Sequence, residues 1–377
     1  MEIQTQPVRT PRDRKAFLLF PWQVQGQDPA WIPPLLIDQK SRFDPKHPFY
    51  EHGEVEPIVA RDTRSGEVVG RICAVVNHAH NRFHKDRVGF FGFFESVDSE
   101  DVARALFDHA GRFLMERGLD VMRGPANFSV NDEIGMLIEG FNTPPAIMTT
   151  HNPPYYNRLA EQCGFVKAKD LLAYEMREGQ FSERIMRLGE KLESRLKLRV
   201  RSFRKKEFWE EVRRIQDLYR RAWAGNWGFV PMSDREIVEM ANSLKLIFDP
   251  RLVFFAEDES GQPVGFSLAL PDVHPLLKKI NGRLFPTGIF TLLTGRRKLN
   301  RIRIPLMGID PAYRGRGVDA VFYCRTYKVG NQAGYHWGEF SWILEDNKPM
   351  NDALIAMGAI PYKKWRMWEK PLDSHVC

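Results

Sequence analysis

Short apolar runs bounded by turn residues alternate along this chain with stretches whose apolar residues recur every three or four places. The first kind predicts strands and the second helices. Residues 56–76 read as a β-hairpin with its turn at Ser65-Gly66. A strand follows over Val88–Glu95, then a helix with Asp98 or Ser99 as N-cap and Glu100-Asp101 in its first turn, ending near Gly118. Residues 1–50, proline-rich around Asp28-Pro-Ala-Trp-Ile-Pro-Pro34, read as irregular.

The same plan returns in the second half. Residues 251–270 form another hairpin, with Ser260-Gly261-Gln-Pro-Val-Gly265 matching Ser65-Gly66-Glu-Val-Val-Gly70 at an offset of 195. Met307-Gly308-Ile309 matches Phe91-Gly92-Phe93, and Ala333-Gly334 matches Arg117-Gly118, both at an offset of 216. The offset returns to 195 at Asn152 and Asn347. The second copy therefore gains 21 residues before its third strand, and the first gains 21 before its last helix. Order is kept throughout, so the chain reads as two copies of one α/β unit, covering 1–178 and 179–377. Between the copies lie a charged helix over 181–198, a basic strand or linker over 197–206 and a helix over 207–224. The aromatic loop 223–231 then leads to a helix capped by Ser233-Asp-Arg-Glu236.

Composition narrows the class. Of 377 residues, 43% are hydrophobic and 12% aromatic, enough for two cored domains. No apolar run reaches the ~18 residues of a membrane span, and no secretory leader is visible. Cys73, Cys163, Cys324 and Cys377 are scattered, without metal or disulfide spacing. These features predict a cytoplasmic protein without metal. The net charge of +7 favours an anionic partner.

The most distinctive stretch is 301–320. Ile302, Ile304 and Leu306 alternate as in a half-buried strand, Asp310-Pro311 ends it, and a helical pattern starts at Val318. Between them Arg314-Gly-Arg-Gly317 places two arginines and two flexible residues at a helix N-terminus, whose unpaired N–H groups favour a phosphate. A solubilising surface turn is the plain alternative. Gly315-x-Gly317-x-x-Ala320 also fits the dinucleotide fingerprint, with Glu339 as the acid. Only two strands follow, however, and five residues separate strand from glycine. Nucleic-acid binding is not expected, because the arginines lack interleaved aromatics.

The order helix, helix, hairpin, strand, basic glycine loop, helix, strand, helix, strand resembles the GNAT N-acyltransferase superfamily, whose loop reads Arg/Gln-x-x-Gly-x-Gly/Ala. Arg314 and Gly317 match, whereas Asp319 stands where the family prefers Gly or Ala. The resemblance covers about 200–370 well and about 50–177 more weakly; in the first copy the loop position is the acidic Glu95-Ser-Val-Asp-Ser-Glu-Asp101. It implies an α/β (α+β) fold of two tandem units, each a mixed, mostly antiparallel sheet flanked by helices, with a degenerate N-terminal copy. It also implies acyl-CoA as co-substrate. Met307, Gly308 and Ile309 would lie along its pantetheine arm, and Arg314, Gly315, Arg316, Gly317, Val318, Asp319 and Ala320 would hold its pyrophosphate. Asn347 would touch it or merely cap the following helix.

Acyl transfer to an amine needs a base for the ammonium and positioned reactants. Many members carry a tyrosine acid four residues before the glycine of the last helix; here that place is Leu354. Tyr323, Tyr313 or water would then act as acid. Glu345 is the first choice as base, with Asp346, Glu339, His274 and water as alternatives. Trp223, Asn226, Trp227 and Phe229 fall in the acceptor region. The insertion 274–299 mixes apolar clusters with six cationic residues, the pattern of an interfacial segment, a cover over the sheet or an acyl tunnel. Together these resemble the bacterial ceramide synthase branch of the tandem GNAT proteins. That branch implies a hydrophobic or lipid amine as acceptor and a peripheral place on the inner membrane face. A non-catalytic module binding acyl-CoA or a membrane is the alternative.

Overall fold

The computed structural model of the protein describes residues 2–372. Two compact units emerge: Met1–Leu171 with 274–291 and 363–377, and Leu172–Val273 with 292–362. The division differs from the expected 1–178 and 179–377, because part of the 274–299 insertion and the last strand belong to the first unit. Backbone pairing supplies the reason for the strand and docking the reason for the insertion, as follows.

In the first unit, β1 (Ile3–Pro7), β2 (Gly53–Asp62), β3 (Val68–Asn77), β4 (Val88–Ser96) and β5 (Val121–Gly124) lie in that order in one sheet. Residues 1–50 are not irregular. Besides β1 they form α1 (Pro11–Gln25) and α2 (Leu36–Arg42). Thr10 caps α1 through the Asp13 N–H, and Pro11 stands in the first turn, where its missing donor costs nothing. After β3 come α3 (His78–His84), then α4 (Glu100–Met115), which lays Val102, Leu106 and Ala110 onto Ile58, Ile72 and Phe91 of the sheet. β6 (Met136–Glu139) and α5 (Tyr155–Gln162) follow, and β7 (Val166–Arg177) carries the chain out of this unit.

The second unit holds α6 (Glu183–Arg195), β8 (Arg199–Ser202), α7 (Phe208–Trp223), α8 (Asp234–Leu244), β9 (Val253–Glu257) and β10 (Pro263–Pro271). Ser233 and Glu236 form the expected capping box on α8. The insertion makes α9 (His274–Ile280) and α10 (Gly288–Gly295). Its first part docks within the first unit: His274 bonds Pro145 O at 2.8 Å, Asn281 accepts from the Trp22 indole at 2.8 Å, and Gly282 O accepts from Leu36 N–H at 3.0 Å. Then come β11 (Arg301–Ile309), α11 (Val318–Gln332), β12 (Trp337–Leu344), α12 (Lys348–Met357) and β13 (Ile360–Pro371). The sheet order here is β12-β11-β10-β9-β8. β13 pairs antiparallel with β5, Trp368 opposite Gly124 and Pro371 opposite Val121, and with β6, Arg366 opposite Met136, so these partners of its part from Lys363 onward lie in the first unit.

The repeat is visible in the pairing itself. β3–β4 and β10–β11 are antiparallel, whereas β4–β5 and β11–β12 are parallel and joined by the crossover helices α4 and α11. Among the described residues no helix is long and apolar enough to cross a membrane, and no group of three His, Cys, Asp or Glu residues could hold a metal.

Candidate active site

β11 and β12 pair from Arg301 opposite Trp337 to Ile304 opposite Phe340, and there the parallel ladder stops. The next residue is Pro305, which has no N–H to give. β11 continues beside β10 as far as Ile309 opposite Gly265. Between Arg303 and Leu306 it carries one residue more than β10, a bulge that reverses which face its side chains take. The two strands thus part above residue 304 and leave the outer edge of 305–309 beside an opening.

One face below this vertex is apolar. Ile302, Ile304, Phe340, Tyr323 and Thr326 line a cavity of about 40 Å³ under α11. Tyr323 is buried there, edge-on to Phe340 at 5.6 Å, and burial pushes its phenol well above the ordinary tyrosine value. The opposite face is polar and equally buried. Arg303 lies 3.6 Å from Glu339 and donates to Ser341 Oγ at 2.8 Å and Ser341 O at 3.0 Å. Glu339 also accepts from Ser341 and from the Tyr362 hydroxyl, whose own proton burial and the Glu339 charge hold firmly. With both carboxylate oxygens engaged, Glu339 pins the vertex and has little capacity left as a base.

Above the bulge the predicted cofactor strand lies against α7. A Cβ at Gly308 would fall 2.6 Å from the Phe266 ring and 3.2 Å from Ala222, so glycine is required by close approach. The Trp223 indole donates to Met307 O at 3.3 Å and stacks edgewise on Tyr219. Phe229 is buried with Tyr219, Phe255 and Phe266 in the core of this unit, while Asn226 is exposed and closes a turn onto Trp223 O at 2.9 Å. Trp227 is half-buried in the same loop.

The glycine loop follows. Gly315 has φ +69° with no protein atom within 4 Å of a Cβ position; Gly317 has φ +88°, and a Cβ there would fall 2.6 Å from Leu192 of α6. Both conformations suit glycine alone. Gly317 is the N-cap of α11 and no side chain caps this helix start, so the first N–H groups of Val318, Asp319 and Ala320 face outward uncapped. Arg316 is exposed, its guanidinium 5.2 Å from the Tyr313 ring. Arg314 turns inward: it donates to Ala222 O and, at 3.3 Å, to Ile309 O, tying the loop to α7 and β11. These residues suit an anion at the helix start, with exposed Arg316 as its counter-charge.

Glu345 lies half-exposed one residue beyond β12, and its carbonyl accepts from Asn351 at 3.3 Å. Asn347 caps α12 by accepting from Met350 N–H at 3.4 Å. Leu354 is fully buried in α12, and Gly358 ends that helix at φ +100°. The sequence reading missed Arg303, Ser341 and Tyr362. Parity along the two strands carried the signal, since residues 301, 303, 337, 339 and 341 share a face once β11 and β12 are paired in parallel.

The first unit offers a comparison. There β4 and β5 also part, after Phe90 opposite Arg123. But the chain fills the opening: Ala126 N–H donates to Phe91 O at 2.8 Å, and Phe93 N–H donates to Asn127 Oδ1 at 2.8 Å. Asn127 is held in turn by Glu133. Nearby, Glu95 pairs with Arg71 at 3.6 Å and accepts from Gln25 and Tyr156; burial raises its carboxyl above the ordinary range. No glycine loop precedes α4, which opens with Glu100 and Asp101.

No family model matches the sequence. Among solved structures, a tandem GNAT protein from the clavulanic acid biosynthesis pathway superposes over 100% of both chains, with a TM-score of 0.58 and 12% identity. A GCN5-related N-acetyltransferase from Sphaerobacter thermophilus covers 99% of this chain and 97% of its own, with a TM-score of 0.54 and 12% identity. These similarities carry the fold. Sequence similarity goes further: Protein YghO of Escherichia coli is 34% identical over 96% of this chain and 93% of its own. The bacterial ceramide synthase of Caulobacter vibrioides is 35% identical over 98% of both. The chain therefore has the tandem GNAT fold and belongs to the family of the bacterial ceramide synthase.

Proposed function

We propose that this acyltransferase moves an acyl group from acyl-CoA to a primary amine, and that the amine is hydrophobic or a lipid. The observation that carries this reading is the open parting of β11 and β12, which leads into the uncapped start of α11. When bound, the thioester supplies an acyl carbonyl to the attacking nitrogen, so the chain need provide no nucleophile.

The chain's own residues position and move protons. The outer edge of Met307, Gly308 and Ile309, whose carbonyls at 307 and 309 already accept from Trp223 and Arg314, offers its remaining backbone groups to a pantetheine amide, as a further strand would. Arg316 and the N–H groups of residues 317–320 take the pyrophosphate, and Arg314 keeps the loop in place. Glu345 would take the proton from the incoming ammonium; as the C–S bond breaks, the leaving CoA sulfur would take a proton from water or from Tyr323, whose phenol burial keeps protonated until then. Trp223, Asn226, Trp227 and Phe229 form the acceptor side, with the Trp223 indole on Met307 O placing it beside the cofactor strand. Exposed Phe285, Phe290 and Leu293 within 274–299 support a peripheral membrane contact, hence access to a lipid amine from the cytoplasmic side. The 35% identity to the ceramide synthase supports the same class of acceptor.

Free thiol released from acyl-CoAs of graded chain length, with an amine panel that includes long-chain sphingoid bases, tests the reading. Release should be greatest with a long-chain amino base. Tight CoA binding with no release above background for any pair would leave a non-catalytic acyl-CoA-binding module, the reading favoured by apolar Leu354 at the place of the superfamily's tyrosine acid.

A further inference from the structure

A second recess in the C-terminal unit lies apart from the strand parting. It measures about 320 Å³ and is lined by Lys205, Phe208, Lys245, Phe248, Pro250 and Arg296. Its apolar wall is aromatic. Phe203, Phe208 and Phe248 meet edge to face in a triangle with centroids 5.3–5.5 Å apart, continuous with the core that holds Val253, Phe255 and Phe266.

Its rim carries three cations. The Lys245 ammonium, at the end of α8, lies 4.9 Å from the Phe208 ring centroid and 5.7 Å from that of Trp209. Among the described residues, none of Lys205, Lys245 and Arg296 forms a salt bridge. Several arginines elsewhere in the unit are matched with carboxylates: Arg201 with Glu211 and Glu257, Arg214 with Glu207, Glu210 and Glu211, Arg251 with Asp249, Arg325 with Glu193. Three unmatched cations around one recess repel each other and gain when an anion enters. Phosphate is the anion such a cluster suits, since Arg can fork onto two of its oxygens and lysine supplies point charge.

Each of the three segments that supplies a cation also exposes a large apolar residue. Trp209 follows Lys205 and Phe208 and is 39% exposed, Leu246 follows Lys245 and is 63% exposed, and Leu293 lies one turn before Arg296 and is 55% exposed. A soluble phosphate would use the cations and leave these three in water without purpose. A bilayer uses both, with apolar tips among the acyl chains and cations at the headgroup level. We infer that the Lys205–Lys245–Arg296 recess binds the phosphate headgroup of an anionic membrane lipid, with Trp209, Leu246 and Leu293 entering the interface around it. This goes beyond acyl transfer and deepens the proposed contact of 274–299, on which it rests for Leu293 and Arg296, by adding a headgroup site with Lys205, Trp209, Lys245 and Leu246. A protein that never turned over would still show it.

Flotation of the whole protein with vesicles tests the assignment. One set is phosphatidylcholine alone, and the other contains about one third phosphatidylglycerol. The protein should float with the second set only. Lys205→Glu/Lys245→Glu/Arg296→Glu should lower its partitioning at least roughly a hundredfold, at about fivefold for each cation lost. Leu246→Asp/Leu293→Asp, which keeps every cation, should lower it about tenfold or more. Far-UV circular dichroism and thermal melting confirm that each variant is folded. Partitioning of the charge variant within about threefold of the parent would overturn the assignment. So would unchanged partitioning of the leucine variant. A parent that stays off all vesicles, but gains melting temperature from inorganic phosphate only while the three cations are present, would show a soluble-phosphate site instead and equally overturn it.

Discussion

Arg303 and Glu339 face each other across the parallel strands β11 and β12, one rung before the ladder ends, 3.6 Å apart and both buried. Their place is where the two strands must be held together before they part. Removing one partner leaves the other charged and dry. Glu339→Leu should therefore destabilise the protein by about 3–5 kcal/mol, whereas Arg303→Met/Glu339→Leu, which removes both charges, should cost much less than Arg303→Met and Glu339→Leu added. Denaturant unfolding of the four proteins in a cycle measures this. Strict additivity would show that the pair does not act as a unit.

Gly317 and Gly315 both take left-handed backbone, but only Gly317 has a side chain against it, Leu192. Gly315→Ala should cost about 1 kcal/mol from backbone strain alone. Gly317→Ala meets the same strain and also Leu192, so it should cost about 1–2 kcal/mol more. It should also misplace the start of α11 and weaken CoA binding beyond what the stability loss explains. Leu192→Ala in the Gly317→Ala background should recover part of the loss. Equal costs at the two glycines would remove Leu192 from the explanation.

Periodicity and turn words made much of the fold legible. The hairpin at Gly66, the strand 301–309, the glycine loop and the boxed cap at Ser233 lie where the sequence places them. Three features lay outside such local signals. The strand 360–371 takes partners from residues 121–124 and 136–139, far away in sequence, so nothing near it reveals its unit. Residues 1–50 read as irregular because proline was counted against helix, although Pro11 sits in a first turn that tolerates it. The buried Arg303–Glu339–Ser341–Tyr362 cluster depends on the β11–β12 register and on a bulge, both properties of pairing. The glycine loop itself was legible, but the inward turn of Arg314 was not, because its partners are backbone carbonyls that any sequence would supply.

The two units differ in one respect that counting can check. The parting of β4 and β5 is closed by Ala126 and Asn127, and the parting of β11 and β12 is not. Calorimetric titration with CoA should give about one site per chain, and Arg316→Glu should weaken that site at least tenfold, as expected for reversing a charge beside a pyrophosphate. Saturable binding of two CoA molecules, or unchanged affinity in Arg316→Glu, would contradict the assignment of the loop.

His80 sets a stability change with pH that is independent of the site. It is buried in α3 between the His84 ring at 4.4 Å and the Phe90 ring at 4.9 Å, with Asp86 3.3 Å from Nε2. Nδ1 is buried and meets no acceptor, so a proton there would be a stranded donor. Burial, outweighing the Asp86 charge and helped by His84 and Arg123, pulls the imidazole down to about 4. An unfolded chain binds that proton near pH 6.5. The neutral ring thus contributes its full stability above about 6.5, and the contribution is lost as pH falls from there towards 4, where the folded ring also takes the proton. The loss should amount to about 2–3 kcal/mol over that window. Urea unfolding at about pH 7.5 and about pH 5 should show the parent losing more stability than His80→Gln, which has no proton to take. Equal losses in the two proteins would assign the acid sensitivity to other groups.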